Sequence, residues 1–201
     1  MVASHLSRPF IPEVKSVKLY YHPASTVSRP VVFGKIGHTM IKKLHHNAYR
    51  CRDSETTRQF YEDFLGLPLA DTLEINQTKS GRPTETLHTF YRLDDGSYLA
   101  FFEAPDMPFE FKVQHDFDLH IALEVDASVL PVMLAKGKAA GIETRGVSDH
   151  GFVQSIYFRD PNGYVIELCA KMPNHNQAMD PATNGAREKL TRWTARKPIP
   201  A

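Results

Sequence analysis

Residues 118–125 read DLHIALEV, a run whose apolar residues suit a β-strand, with His120 set among them. An imidazole on such a strand needs a bonding partner, so the role of His120 bears on fold and function together. The same plan stands earlier in the chain, where residues 44–51, LHHNAYRC, read as a strand carrying His45 and His46. Each strand leads into a helix. Asp53 or Ser54 can cap ETTRQFYEDFLG, in which Phe60, Tyr61, Phe64 and Leu65 fall at helical spacing and Gly66 ends the run. Asp126 can cap the second helix, which runs to Gly141.

Three strands are expected after each helix. The first set is LPLADTLEI, ETLHTFYRL and SYLAFFEA, the last two joined through Asp94, Asp95 and Gly96, where an Asp-Gly pair favours a hairpin. The second set is IETRG, QSIYF and YVIELCA, with DPNG at 160–163 as its last turn. One βαβββ unit therefore occurs twice. The expected fold is α+β, with paired βαβββ modules forming a cup-shaped, partly open antiparallel sheet around a metal site. The modules span 44–104 and 116–171, within a domain of 44–171.

The repeat also carries chemistry. Each unit opens with a histidine strand and closes with a glutamate strand: His46 and Glu103 in the first, His120 and Glu167 in the second. The spacings, 57 and 47 residues, nearly match, so pseudo-symmetry would bring two imidazoles and two carboxylates to one cleft. Imidazole and carboxylate together suit divalent zinc, nickel, iron, manganese or cobalt. A bound ion also explains how a carboxylate tolerates an apolar strand. His45 competes with His46, because neighbouring strand residues face opposite ways.

Composition narrows the partners. Twenty-four Lys and Arg against 23 Asp and Glu leave a formal charge of +1, which gives no reason to expect nucleic acid. No apolar run approaches the ~18–20 residues of a membrane span, and MVASHLSRPF lacks the organisation of a secretory signal. A soluble, cytoplasmic protein is expected. Cys51 and Cys169 fall in expected strands and read as buried free thiols, which suits a reducing compartment.

The motifs LHHNAYRCRDSETTRQFYEDFLGLPL, AFFE, LHIALEV and IYFRDPNGYVIEL closely resemble the vicinal oxygen chelate superfamily, over residues 44–171. That superfamily includes glyoxalase I, extradiol dioxygenases, fosfomycin-resistance proteins, certain sugar epimerases and metal-free bleomycin-binding proteins. The resemblance implies a small-molecule substrate chelated through two vicinal oxygens, and a homodimer is expected. The set His46, Glu103, His120 and Glu167 matches the glyoxalase I pattern. It implies a lyase, isomerase or epimerase acting by proton transfer, with Glu167 as proton shuttle and Glu103 as its counterpart. The alternative is an iron(II) extradiol dioxygenase acting on a catechol, with His46, His120 and Glu167 as ligands. SDHGFVQSIYF resembles the corresponding segment of such enzymes, with Tyr157 and His150 as neighbouring acid and base. A second alternative is a non-catalytic binding or resistance protein. Glu103 separates the readings, since the dioxygenase leaves it without a role.

The flanks are less informative. Residues 1–43 form an accessory arm, in which VKLYYHPASTVSRPVVF resembles the start of a glutathione-transferase N-terminal domain without the length to complete one. The tail, 172–201, offers a short helix near Ala186–Ala195 with Trp193 as anchor on the domain or a partner subunit. Residues 105–117 read chiefly as linker packing, although Phe109 and Phe111 would meet substrate if the segment walled the cleft. Lys79 and Arg82 lie on a Gly-Pro loop suited to an anionic substrate.

Overall fold

The computed structural model describes residues 41–196; the accessory arm up to residue 40 and the last five residues lie outside the described residues. The first module runs β1 (Tyr49–Arg50), α1 (Ser54–Arg58), β2 (Leu69–Gln77), β3 (Pro83–Arg92) and β4 (Tyr98–Glu103). Asp53 begins α1, its carboxylate accepting from the Thr56 amide at 2.6 Å. The helix then widens into a π-helical stretch, Gln59–Phe64, that turns Phe60, Tyr61 and Phe64 into the core. The second module runs β5 (His120–Glu124), α2 (Val129–Ala139), β6 (Thr144–Asp149), β7 (Val153–Arg159) and β8 (Val165–Lys171). Ser128, not Asp126, precedes α2, and neither side chain caps it; the Asp126 carbonyl accepts from Val129 instead.

Each module makes its own four-stranded sheet, ordered β1-β4-β3-β2 and β5-β8-β7-β6. The expectation of one cup-shaped antiparallel sheet is corrected in two respects. The first strand of each module pairs parallel to the last, because it enters from the far side of its helix, so both sheets are mixed. The two sheets also stay separate, with no ladder between β1 and β5.

The modules meet instead through the helical side of the first. Phe60, Tyr61 and Phe64 pack with Tyr91, Leu99 and Phe101 of the first sheet and Ile156, Phe158, Ile166 and Leu168 of the second. Phe64 meets Phe158 edge-on at 5.2 Å. The DPNG turn fastens this contact. Asp160 accepts from the Tyr61 hydroxyl at 3.0 Å, Asn162 accepts from the Arg52 amide at 2.8 Å, and the Tyr164 hydroxyl donates to the Arg50 carbonyl at 2.8 Å. Gly163 has φ +98°, and a β-carbon there would lie 2.4 Å from the Lys112 carbonyl of the linker, so the turn needs glycine twice over.

The linker, 104–119, is held largely by arginines. Arg50 donates to the Ala104 and Met107 carbonyls at 2.9 Å, Arg82 pairs with Asp106 at 2.8 Å, and Arg159 donates to the Gln114 carbonyl at 3.0 Å. Phe109 and Phe111 lie under Arg50 and Arg52, so packing against the chain accounts for them. The tail forms α3 (His175–Ala178) and α4 (Ala186–Ala195). Trp193 is 58% exposed and Leu190 65%, so the anchoring expected of Trp193 on its own domain is corrected: α4 buries none of its residues among those described.

Candidate metal centre and active site

Side chains alternate between the faces of a strand, so register decides which residues can meet. In the second module His120 lies opposite Val165 and Ala122 opposite Glu167, while Tyr157 pairs with Glu167 and Ser155 with Cys169. His120, Glu167, Tyr157 and Ser155 therefore share the face turned away from the Ile156–Leu168 core. Their contacts agree. His120 Nε2 lies 3.3 Å from Glu167 Oε2, the Ser155 hydroxyl donates to Glu167 Oε1 at 2.5 Å, and Tyr157 Oη lies 2.8 Å from His150 Nε2.

The His120–Glu167 contact has a definite chemistry. His120 Nδ1 lies 2.7 Å from the Asp116 carbonyl, which can only accept, so Nδ1 carries the proton. In the neutral ring, Nε2 then turns a lone pair toward a buried carboxylate oxygen. Two acceptors face one another, and a cation or a proton must lie between them. Ligands in adjacent positions about 2.1 Å from one ion are roughly 3.0–3.4 Å apart, so the observed separation fits an edge of a coordination polyhedron. The carbonyl behind His120 and the hydroxyl behind Glu167 are the supports that metal-binding side chains use.

The first module places the corresponding four positions differently. His46 lies opposite Tyr98 and β4 continues in register, so the place of Glu167 falls to Ala100; Phe90 stands where Tyr157 does and His88 where Ser155 does. Glu103 lies three residues beyond Ala100 and on the other face, where its Oε2 accepts from the Ser54 amide at the start of α1, 2.7 Å away. The structure thus brings His120 and Glu167 together, with Tyr157 and His150 beside them, and does not bring Glu103 to the face that carries His46. Nor does one chain unite the halves: among the described residues no three His, Cys, Asp or Glu side chains are grouped as a metal ion requires. His45 Nδ1 is 2.8 Å from His46 Nδ1, so the two rings remain neighbours.

His88 is a residue that sequence reasoning passed over. It shares the face of His46, with ring centroids 6.1 Å apart, and stacks on Phe102 at 3.6 Å. Its Nδ1 lies 2.9 Å from the Phe101 carbonyl, and burial lowers its pKa from the usual histidine value, so it is neutral with an accepting Nε2. The alternation in ETLHTFYRL was the available signal. For Tyr157, burial first and the Glu167 charge second push the phenol up, keeping its proton at neutral pH. Cys51 is buried and its thiol is pushed up to about 11, chiefly by burial, while Cys169 is partly buried; both are free. Neither is a nucleophile of this site. Arg82 is engaged with Asp106, and no helix of the described residues is long and apolar enough to cross a membrane.

Duplicated βαβββ units, the second carrying a histidine and a glutamate together on the open face of its sheet, define a vicinal oxygen chelate scaffold. The chain belongs to the Glyoxalase/Bleomycin resistance protein/Dioxygenase superfamily, whose model matches residues 43–168. Among solved structures it is similar to a glyoxylase/bleomycin resistance protein/dioxygenase domain from Frankia sp. EAN1pec, with 18% identity, 66% of this chain and 99% of that one covered, and a TM-score of 0.52. A glyoxalase/dioxygenase from Nostoc punctiforme gives 21% identity, 73% and 99% coverage and a TM-score of 0.51. The fosfomycin resistance protein FosX from Listeria monocytogenes gives 20%, 68% and 98%, and 0.51. At these identities the likeness is one of fold. No curated protein sequence matches the chain.

Proposed function

We propose that this protein is an extradiol-type dioxygenase, cleaving the ring of a catechol-like diol beside its two hydroxyls and placing both atoms of dioxygen in the product. The carrying observation is the register that sets Ala100 where Glu167 has its counterpart, leaving two histidines and one carboxylate, His46, His120 and Glu167, as the ligand set. Two histidines and a carboxylate, with positions left open, are the donor set of non-haem iron(II) oxygenases. When bound, iron(II) supplies the redox centre at which diol and dioxygen react. A glyoxalase I-like lyase, isomerase or epimerase needs Glu103 as well, and Glu103 is engaged with α1 on the opposite face.

The remaining roles belong to the chain. His88 offers a neutral Nε2 acceptor for a diol proton, and Phe90 and Phe102 give the aromatic wall that a ring prefers. Tyr157 keeps its proton and, held by His150, donates a hydrogen bond to substrate oxygen. Glu167 is held by Ser155 through one oxygen, leaving the other for the metal. Because His46 and the His120–Glu167 pair lie on separate sheets, the reading calls for a homodimer in which the first module of one copy faces the second module of the other.

The test is oxygen uptake with a panel of catechols, on protein loaded anaerobically with iron(II), beside isomerase assays on hemithioacetals and keto-sugars. Oxygen-coupled ring cleavage, lost on aeration and restored by iron(II), is expected. Anaerobic turnover that depends on Glu103 would establish the proton-transfer reading instead, and tight binding without turnover would establish a sequestering protein. In the dimer, mixing inactive His46→Ala and His120→Ala chains should restore some activity, because one of the two sites is then intact.

A further inference from the structure

We propose that Arg145 is a positioning residue for His120, acting through Asp116; the inference rests on the reading of His120 as a metal ligand. Asp116 lies in the linker just before β5 and is held at both ends. Its carbonyl accepts from His120 Nδ1 at 2.7 Å, and its carboxylate accepts from Arg145 Nη2 at 2.7 Å. Arg145 in turn is fixed on β6, opposite Tyr157, with its guanidinium 5.2 Å from the centre of the Tyr157 ring. A continuous path therefore runs from the sheet that carries Tyr157 and Glu167, through Arg145 and Asp116, to the back of the His120 ring.

The surroundings of Asp116 show why it needs such a hold. Phe117, the next residue, is 94% exposed, so no apolar burial anchors the linker there. The local bonds close a turn within residues 115–119: Asp118 and Leu119 donate to the His115 carbonyl, and the Phe117 N–H, on the same peptide as the Asp116 carbonyl, donates to the His115 ring. Those bonds stay inside the turn; the Arg145–Asp116 ion pair ties the turn to the sheet, and with it the direction of the carbonyl that keeps the His120 proton on Nδ1. Arg145 and Asp116 side chains are 46% and 28% exposed, and a pair so placed contributes little to folding stability. Its effect falls on the orientation and tautomer of His120.

An electrostatic role makes the opposite forecast, so the two are separable. A positive Arg145 near a bound cation would weaken binding, and a negative Asp116 would strengthen it. Under charge alone Arg145→Ala should bind metal more tightly, Asp116→Ala less tightly, and the double variant like wild type. Under the clamp, all three should bind about 10-fold more weakly, because each releases the carbonyl that orients the ligand. Arg145→Lys, which keeps the ion pair, should recover most of the affinity.

The experiment measures zinc(II) affinity of the full chain by competition with a chromogenic chelator, for wild type, the two alanine variants, their double and Arg145→Lys. Beside it, long-range proton–nitrogen NMR reads the His120 tautomer in the metal-free protein, the signal being assigned by its loss in His120→Gln. The expected result is an Nδ1–H tautomer in wild type, a mixture in Arg145→Ala and Asp116→Ala, and non-additive affinity losses. Arg145→Met, which keeps the aliphatic stem and removes the charge and its donors, gives the same reading if an alanine variant fails to fold. Equal affinity and an unchanged tautomer in Arg145→Ala would overturn the proposal. A wild type that binds no zinc(II) or iron(II) would overturn the functional reading instead, while the tautomer shift would still report the clamp.

Discussion

The open faces of the two modules share a topology and divide the chemistry. Four corresponding positions hold His120, Glu167, Tyr157 and Ser155 in the second module and His46, Ala100, Phe90 and His88 in the first. The second face carries a buried carboxylate, with Ser155 donating to one oxygen and His120 Nε2 facing the other across 3.3 Å. None of the four positions of the first face is acidic, and the acid that shares this face, Asp71 opposite Phe90, is exposed. Duplication thus supplied one scaffold twice, and the charge of the candidate site was built on only one copy.

The largest effect expected from this asymmetry is at the acidic face. Glu167→Gln and His120→Ala should each lose metal affinity by more than the ~10–100-fold typical of an outer partner, with loss of turnover. His46→Ala should lose affinity too, while leaving the His120–Glu167 pair in place. Equilibrium dialysis of the three variants checks this; stoichiometric retention in His120→Ala would refute the site.

Next comes Tyr157→Phe, which makes the second face resemble Phe90 of the first. Turnover should fall by about 10²-fold or more, the usual scale for a positioned proton donor, with metal content unchanged. Unaltered turnover would show that the phenol only packs against its strand.

Most of this division could be read in the sequence, and one part was misread. The hairpin at Asp95-Gly96, the DPNG turn and the two histidine strands placed every strand of both modules, because turn chemistry and alternation are local. The glutamates were matched to each other because both end a module, and that alignment slipped by three residues. The turn glycines would have corrected it. Gly96 and Gly163 both take positive φ, and the residue four further on is Ala100 in one module and Glu167 in the other. The relation of the sheets was beyond reach for a different reason: periodicity says which face of a strand is apolar, and both the helices and the other module could cover that face. The helical pattern at Ala186–Ala195 was legible in the same limited way, since an amphipathic stripe does not name its partner.

The two modules are joined by the Tyr61–Asp160 hydrogen bond, and the third effect is on stability. Burial raises the Asp160 carboxyl above its usual value, and the Tyr61 hydroxyl is among the groups that hold it down. Tyr61→Phe should destabilise the protein by about 1.5–3 kcal/mol, the scale of a hydrogen bond to a charged group, since Asn162 Nδ2 still donates to the same Asp160 oxygen. The pH dependence has a definite sign. Below the ordinary aspartate value of 3.8 both folded and unfolded states are protonated; as pH rises through the raised folded value, the cost of burying the charge is felt and stability is lost. Losing the hydroxyl increases that cost, so the gap between wild type and Tyr61→Phe should widen from pH 4 to pH 8 in urea titrations. A gap that narrowed would contradict the assignment.

The smallest effect is at Glu103, and it cuts most cleanly between the two modules. If Glu103 were the partner of Glu167, Glu103→Gln would remove a ligand or proton acceptor and turnover would collapse. Its position opposite the His46 face, bonded to the Ser54 amide, gives it a different task. A carboxylate at the start of a helix is stabilised by the unpaired amides and the positive end of the helix dipole. Glutamine retains an oxygen that can accept from Ser54 and loses only the charge. Glu103→Gln should therefore cost about 0.3–1 kcal/mol in denaturant unfolding, a cost that shrinks in high salt. Metal affinity and oxygen uptake should match wild type. Glu103→Ala, which also removes the acceptor, should cost more stability and still leave both activities in place; a variant that unfolds normally yet fails to turn over would restore Glu103 to the site.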